Sequence, residues 1–358
     1  MYKILLIGPQ PEPITGQSLA DAVVAKYLPI YTKNSIDTID TSLNVLKEDI
    51  GKFSLKKTLH YIKQYKELYK IKNSEKVYIS MGQTFFGVLK YYPYFLFARL
   101  LKKEIIIHIH GNHLWKEYEG LKGLKKKIFF KILSMSDKGI VLSKSLERNL
   151  TPFLTKDKIY ILENFVEDFL FENLLQKKFD KLRIVYLSNL MQEKGITELL
   201  EALQKLNEED IVFESKIAGG IDEEMKPLID SYFNKLDKNI KYLGLVYNEE
   251  KKELLEWGNV FILPTKFNEG QPISILEAMA LGNIILTTKR GGIPDIFKEN
   301  VNGFYIKKGS SSSIFNKLME LNQNLENYKF ISSNNIDEAN KKYRVKSFIN
   351  KLNTILED

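Results

Sequence analysis

Hydrophobic positions along this chain fall into short, nearly unbroken β-branched runs. Longer stretches separate them, in which apolar residues recur every three or four positions. The runs are 2–7 (YKILLI), 76–80 (KVYIS), 104–109 (EIIIHI), 138–142 (KGIVL) and 158–162 (KIYIL). After a polar interval come 182–187 (LRIVYL), 211–217 (IVFESKI), 240–243 (IKYL), 259–263 (NVFIL) and 283–287 (NIILT). Continuous apolar runs of this length predict strands buried on both faces. The intervening patterns, such as 194–206 and 272–281, predict amphipathic helices. Regular alternation of the two predicts the α/β class, with parallel sheets covered by helices. The segment 163–181 (ENFVEDFLFENLLQKKFDK) breaks the rhythm and reads as a connection. The expected architecture is two doubly wound Rossmann-like domains, 1–165 and 166–342, facing a central cleft. A last helical pattern at about 343–358 has no strand after it.

Composition narrows the class without changing it. With 358 residues, 44% hydrophobic and 27% charged, the chain can bury two cores as an ordinary soluble protein. It has no cysteine, which excludes disulfides and thiolate metal sites. The opening MYKILLIGPQP reads as a strand, not as a signal peptide. The apolar stretch 85–101 is interrupted by Lys90, Pro93 and Arg99, whereas a membrane span needs roughly 20 clean apolar residues. A cytoplasmic protein is expected. Its net charge of +8 is uneven, with +12 in residues 1–165 and −4 in the remainder. That asymmetry points to an anionic partner for the first half. No recognition module for nucleic acid is visible, which leaves an anionic membrane surface as the expected partner.

Candidate chemistry concentrates in NEGQPISILEAMALGN (268–283), which sets Glu269 and Glu277 eight positions apart. NVFILPT reads as a buried strand, and the loop leaving its carboxyl end is where open α/β sheets bind ligands. Pro272 suits a helix start, and the first-turn amides around Ile273, Ser274 and Ile275 offer an anion site favoured by the helix dipole. Gln271 stands just ahead of that turn. Glu277 falls roughly 7 Å further along at 1.5 Å per residue. A carboxylate, an anion site and a second carboxylate match the order sugar, diphosphate, ribose. Read alone, such a pair favours the plainer account, with Glu269 a loop charge and Glu277 a solvated helix residue; the context reverses that preference.

These residues resemble the retaining glycosyltransferases of family 4, which have the GT-B fold. Glu269 and Glu277 match the family's E-x7-E motif. LMQEKGITELLEAL (190–203), IAGG (217–220), GNVFILPT (258–265), GGIPDIF (291–297) and NGFYI (302–306) match as well. The likeness covers most of the second domain and two loops of the first. It implies transfer of a sugar from a nucleotide-sugar substrate with retention of configuration, and no cofactor or required metal. It implies too that domain 166–342 binds the donor, that domain 1–165 lies on the acceptor side, and that the last helix packs back on the first domain.

Three further motifs fit that resemblance. In SNLMQEKG (188–195), Lys194 stands at a helix start after a strand, where an ammonium can neutralise a diphosphate. The family usually carries an arginine five positions earlier; here it is Asn189, and Lys266 or Arg290 could substitute for the missing charge. In GPQPEPITGQSLA (8–20), Gly16 would let the backbone approach a ligand, and the loop resembles the one that closes over the donor diphosphate. In EIIIHIHGNH (104–113), His108 and His110 share one face of a strand. A metal site there lacks supporting ligands. By resemblance His110 is the active-site histidine, while His108 reads as a satisfied core residue. LKGLKKKIFFKIL (121–133) sets Lys125, Lys126, Lys127 and Lys131 among apolar residues, a candidate contact with an anionic bilayer.

The expected activity is therefore a retaining, metal-independent hexosyl transfer from a nucleotide-sugar, expected to be uridine-linked, to a lipid-linked glycan acceptor. His110, Glu269 and Lys194 are the expected catalytic residues, and Gly16, Asn189, Lys194, Gln271, Pro272, Ile273, Ser274 and Glu277 the expected donor site. The enzyme would work peripherally on the inner face of the cell membrane in cell-surface polysaccharide synthesis. The alternative is a catalytically weak, nucleotide-sugar-binding partner subunit.

Overall fold

The structure, a computed structural model, describes residues 1–12, 14–43 and 55–358. These form two compact units, one of Met1–Asn164 with Val345–Asp358 and one of Phe165–Arg344.

The first unit holds β1 (Lys3–Gly8), β2 (Ser35–Asp40), β3 (Lys76–Ser80), β4 (Glu104–Ile109), β5 (Lys138–Val141) and β6 (Ile159–Ile161). They form one sheet in the order β2-β1-β3-β4-β5-β6, with every pairing parallel. Its inner strands are the apolar runs: Ile4–Ile7 of β1 and Ile105–Ile107 of β4 are buried. The strand order reverses direction between β1 and β3, which puts the switch point of this sheet at their carboxyl ends. The last helix, Val345–Glu357, belongs to this unit and buries Phe348, Ile349, Leu352, Ile355 and Leu356. Lys138 Nζ donates to the Ile355 carbonyl at 3.1 Å, and Lys76 Nζ donates to that of Leu356. Glu104 between β3 and β5 pairs with both lysines, at 2.5 and 2.8 Å. Two ammonium groups thus satisfy the terminal carbonyls of the helix, where its dipole favours cations.

The second unit holds β7 (Leu182–Leu187), β8 (Phe213–Ala218), β9 (Ile240–Tyr242), β10 (Val260–Leu263), β11 (Ile284–Thr287) and β12 (Gly303–Tyr305). The order is β12-β11-β10-β7-β8-β9, again all parallel. Counted within the unit, this is the doubly wound order 3-2-1-4-5-6, whose switch point lies between β7 and β10. Val260–Leu263 and Ile284–Thr287 are buried throughout, as strands covered on both faces must be.

Two strands lie outside the apolar runs picked from the sequence. β2 (SIDTID) is an edge strand with a single sheet neighbour and mostly exposed or half-exposed residues, so it carries little apolar signal. β12 is three residues long and closes the opposite edge of the second sheet. The stretch 85–101 folds as two helices, Phe85–Leu89 and Tyr92–Leu100, with Tyr91, Tyr94 and Phe95 in the core. Among the described residues no helix is long and apolar enough to cross a membrane.

Candidate functional site

At the switch point of the second unit, two loops are pinned together by backbone that only glycine permits. β7 leads through Ser188 into the short turn Gln192–Lys194, which ends at Gly195 with φ +80°. A Cβ on Gly195 would lie 2.2 Å from the Pro264 carbonyl oxygen, so the turn packs directly against the end of β10. The Glu193 carbonyl then accepts from the amides of Lys266 and Phe267 at 2.7 and 3.2 Å. This brings Lys194 onto the loop that carries Glu269. Lys194 Nζ and Thr265 Oγ1 each donate to Glu269 Oε1 at 2.7 Å. Glu269 is only 7% exposed, which removes the reading of a solvated loop charge.

Beyond the turn, Gln271 is buried, and Pro272 caps helix Ile273–Ala280 without a side-chain hydrogen bond. Ile275 donates its amide to Pro272, at 3.2 Å, and Ser274 is half-exposed at the open first turn. Glu277 lies on this helix at 3% exposure, so it is not a solvated helix residue either. Its Oε1 accepts from Lys251 Nζ at 2.5 Å, and Lys251 reaches Glu167 Oε2 at 3.4 Å. Burial alone would lower the pKa of Lys251; the two carboxylates override it and hold it above the ordinary lysine value. Lys251 was not singled out in the sequence. Its signal was there, because it stands three and four positions before the buried Leu254 and Leu255 on one helix face.

The remaining candidates for the diphosphate charge divide sharply. Asn189 is exposed, and its carbonyl accepts from the Tyr186 hydroxyl at 2.9 Å. Lys266 is committed to Glu198 at 2.8 Å. Arg290, just past β11, donates through Nη2 to Asn268 Oδ1 at 2.6 Å.

The first unit assembles a different kind of cluster at its own switch point. Thr15 caps helix Gly16–Tyr31 in a reciprocal box with Ser18, which leaves Gly16 exposed at the first helical position. One turn in, Asp21 is fully buried against Gly8 and Ser80; a Cβ on Gly8 would stand 2.4 Å from Asp21 Oδ2. Neither carboxylate oxygen has a hydrogen-bond partner among the described residues. Burial pushes the Asp21 pKa well above the carboxylate range, opposed only in part by the Ser80 hydroxyl. Gln17 Nε2 donates to that same Ser80 Oγ at 3.0 Å. A sequence signal existed for Asp21, a carboxylate on the stripe that buries Ala20, Val24 and Leu28.

His108 is fully buried, as expected, and its Nδ1 lies 2.5 Å from the Tyr78 hydroxyl. The expectation that it is satisfied is corrected, because Nε2 has no partner among the described residues. Burial keeps Tyr78 protonated, so its hydroxyl donates to Nδ1 and leaves the proton of neutral His108 on Nε2. His110 follows the end of β4 with its ring 3.9 Å from that of His108, and neither of its nitrogens has a partner among the described residues. Burial lowers His110 to about 3, and burial with the neighbouring ring pulls His108 down as well. Both imidazoles are neutral at physiological pH. Among the described residues no group of three or more His, Asp or Glu side chains could hold a metal ion.

The basic segment 121–133 forms helix Gly123–Leu133, with Phe129, Ile132 and Leu133 in the core. Its four lysines do not share one face. Lys126 lies over the Tyr118 ring and Lys125 over Phe85, at 4.7 and 5.6 Å from the ring centroids. The outward stripe is Leu124, Lys127, Phe130 and Lys131, all exposed.

Residues 170–343 match the family of glycosyl transferases group 1, which spans the second unit. The amylovoran biosynthesis glycosyltransferase AmsK of Erwinia amylovora is 29% identical over 147 residues, 40% of this chain and 36% of the relative. A Campylobacter jejuni N,N'-diacetylbacillosaminyl-diphospho-undecaprenol alpha-1,3-N-acetylgalactosaminyltransferase is 26% identical over 191 residues, 53% of this chain and 47% of the relative. The matched region thus spans about a third to a half of these curated relatives. HepE of Anabaena, solved in complex with UDP, superposes with a TM-score of 0.75 over 99% of both chains at 13% identity. At that identity the likeness is one of fold. The fold is GT-B.

Proposed function

We propose that this GT-B chain is a glycosyltransferase that moves a sugar from a nucleotide-sugar to a glycan acceptor in polysaccharide biosynthesis. The observation that carries the proposal is the Lys194–Glu269–Thr265 cluster at the β7/β10 switch point, beside the open start of helix Ile273–Ala280. The match to glycosyl transferases group 1 supports it. In this reading the amides of Ile273 and Ser274 and the Lys194 ammonium receive the diphosphate as it leaves. Preorganised donors of this kind stabilise charge that develops in the transition state. Glu269 accepts from sugar hydroxyls, and Glu277, oriented by Lys251, accepts from the ribose. In the first unit the neutral His110 offers an imidazole nitrogen suited to a hydroxyl group. Gly16 leaves the loop before its helix room to approach a ligand.

Uridine is the base we propose, because HepE is solved with UDP. A lipid-linked acceptor is supported by the undecaprenol-linked activity named for the Campylobacter jejuni relative. Retention, with the acceptor hydroxyl attacking on the leaving-group side, and metal independence belong to the same proposal. The exposed stripe Leu124, Lys127, Phe130 and Lys131 would rest on anionic lipid, with the lysines drawn to headgroups. A second reading, a nucleotide-sugar-binding subunit with weak catalysis, is favoured by the neutral Asn189.

Thermal unfolding of the purified chain with UDP-, GDP- and ADP-sugars tests the first step. A ligand that binds only the folded state raises the midpoint with concentration. UDP-sugars are expected to raise it; no shift with any of the three would overturn the proposal. Release of nucleoside diphosphate in the presence of acceptor lipid then separates the enzyme from the binding subunit.

A further inference from the structure

Five cationic side chains gather around the loops at the carboxyl ends of β7, β10 and β11 and the helix that follows, and one of them, Lys289, is exposed to solvent. Three of them are neutralised within the fold. Lys194 pairs with Glu269 at 2.7 Å, Lys266 with Glu198 at 2.8 Å, and Lys251 with Glu277 at 2.5 Å and Glu167 at 3.4 Å. Lys289 and Arg290 are the exceptions: among the described residues no carboxylate lies within ion-pair distance of either, and of the two only Arg290 is drawn partly into the fold. Its Nη2 is fastened to Asn268, and its Nε is buried without a hydrogen-bond partner among the described residues. A buried N–H of a charged group left unmade costs more than an average hydrogen bond contributes. The fold nonetheless holds Arg290 there tightly. Gly291 has φ +56°, and a Cβ on it would stand 1.9 Å from the Glu269 carbonyl oxygen. Gly292 donates its amide to that same oxygen at 3.1 Å, and the Arg290 amide donates to the Thr288 carbonyl at 2.9 Å. The guanidinium is therefore locked beside the loop of Asn268 and Glu269, four residues ahead of helix Ile273–Ala280.

We propose that Arg290 is a binding residue for the donor diphosphate and supplies the net positive charge of that site. This rests on the proposed use of a nucleotide-sugar. The charge of Lys194 is offset by Glu269, and Asn189 on the opposite loop contributes none. Arg290 is left as the uncompensated cation that the fold holds partly buried. Its planar fork suits two phosphate oxygens at once, which a lysine cannot reproduce.

Calorimetric titration with UDP, GDP and ADP, each beside its own nucleoside, tests the proposal on the full chain. Failure of the wild type to bind any of the three diphosphates would count against the nucleotide-sugar reading itself. With a binding diphosphate in hand, Arg290→Gln is expected to weaken its affinity about tenfold or more, the weight of a lost charge-assisted bond. The affinity for the nucleoside should stay within twofold of wild type. Arg290→Lys should fall between the two, and the wild-type advantage should shrink as salt is raised. Diphosphate affinity within twofold of wild type in Arg290→Gln would overturn the assignment. An equal loss for nucleoside and diphosphate would overturn it too, because the role of Arg290 would then be to hold the loop.

Discussion

Each sheet ends in a polar cluster at its switch point, and the two clusters are built from opposite kinds of group. In the second unit the groups are charged and mutually paired: Lys194 with Glu269, Lys251 with Glu277, Lys266 with Glu198. In the first unit they are buried, neutral and, among the described residues, without an opposite charge beside them: Asp21 holding its proton, His108 and His110 uncharged. The difference follows from partners. A buried ionisable group keeps its charge where an opposite charge lies close, and loses it where none does. Neutral donors and acceptors suit hydroxyl groups, whereas a lattice of ion pairs with one spare guanidinium suits an anion. The contrast supports assigning the phosphate chemistry to the second unit.

The largest effect should come from breaking a pair in the charged cluster. Lys251→Met leaves Glu277 buried beside no cation, which typically costs about 3–5 kcal/mol. Urea unfolding of the second unit should register that loss. Lys251→Met with Glu277→Met should recover most of it, because no buried charge remains. A single variant as stable as wild type would show that the pair is solvated, and the contrast between the units would weaken.

Next in size is Lys194→Ala, expected to remove about 2–4 kcal/mol of transition-state stabilisation, the range for a preorganised donor. Sugar transfer measured as kcat/KM checks it. Turnover near that of wild type would take Lys194 out of the site.

The neutral cluster makes a pH prediction with two opposing signs. His110 has a folded pKa of about 3, below the unfolded value near 6.5. Between those values the unfolded chain binds a proton that the native state refuses. Stability should therefore fall as pH drops below about 6.5, by up to about 1.4 kcal/mol per pH unit for this group. His108 acts in the same direction. Asp21 acts in reverse: its folded pKa is raised above the unfolded value, so it costs stability as pH rises through that window. Asp21→Asn should consequently raise the melting temperature more at pH 7 than at pH 4. Histidine C2–H resonances should stay flat for both rings from pH 8 to 5. A titrating ring in that range would mean that this cluster carries charge after all.

The smallest effect is expected on the exposed stripe of helix Gly123–Leu133. Lys127→Glu and Lys131→Glu should weaken sedimentation with anionic vesicles, with about 1 kcal/mol for each lysine removed from the surface. Lys125→Glu and Lys126→Glu should do less, since those side chains lie over Phe85 and Tyr118. High salt should reduce wild-type binding, because the Debye length falls to about 3 Å at 1 M. Equal losses for all four substitutions would return the contact to the whole basic run.

What the sequence determined by itself was periodic and local. The apolar runs specified ten of the strands and, through their alternation with helical patterns, the α/β class, because a strand buried on both faces must be apolar throughout. The positions of Glu269, Lys194 and the start of helix Ile273–Ala280 were legible because loops at strand carboxyl ends carry their own Gly and Pro punctuation. Strand β2 escaped because its mostly exposed edge carries little apolar signal, and β12 because three residues are too short to set up a pattern. Only the tertiary structure decided who pairs with whom. Nothing local relates Lys251 to Glu277, 26 positions away, or Asp21 to Ser80 and Tyr78. Charge state is set by what surrounds a side chain in space. It is therefore the fold that leaves Asp21 and the histidines neutral, keeps three lysines paired, and sets Arg290 apart.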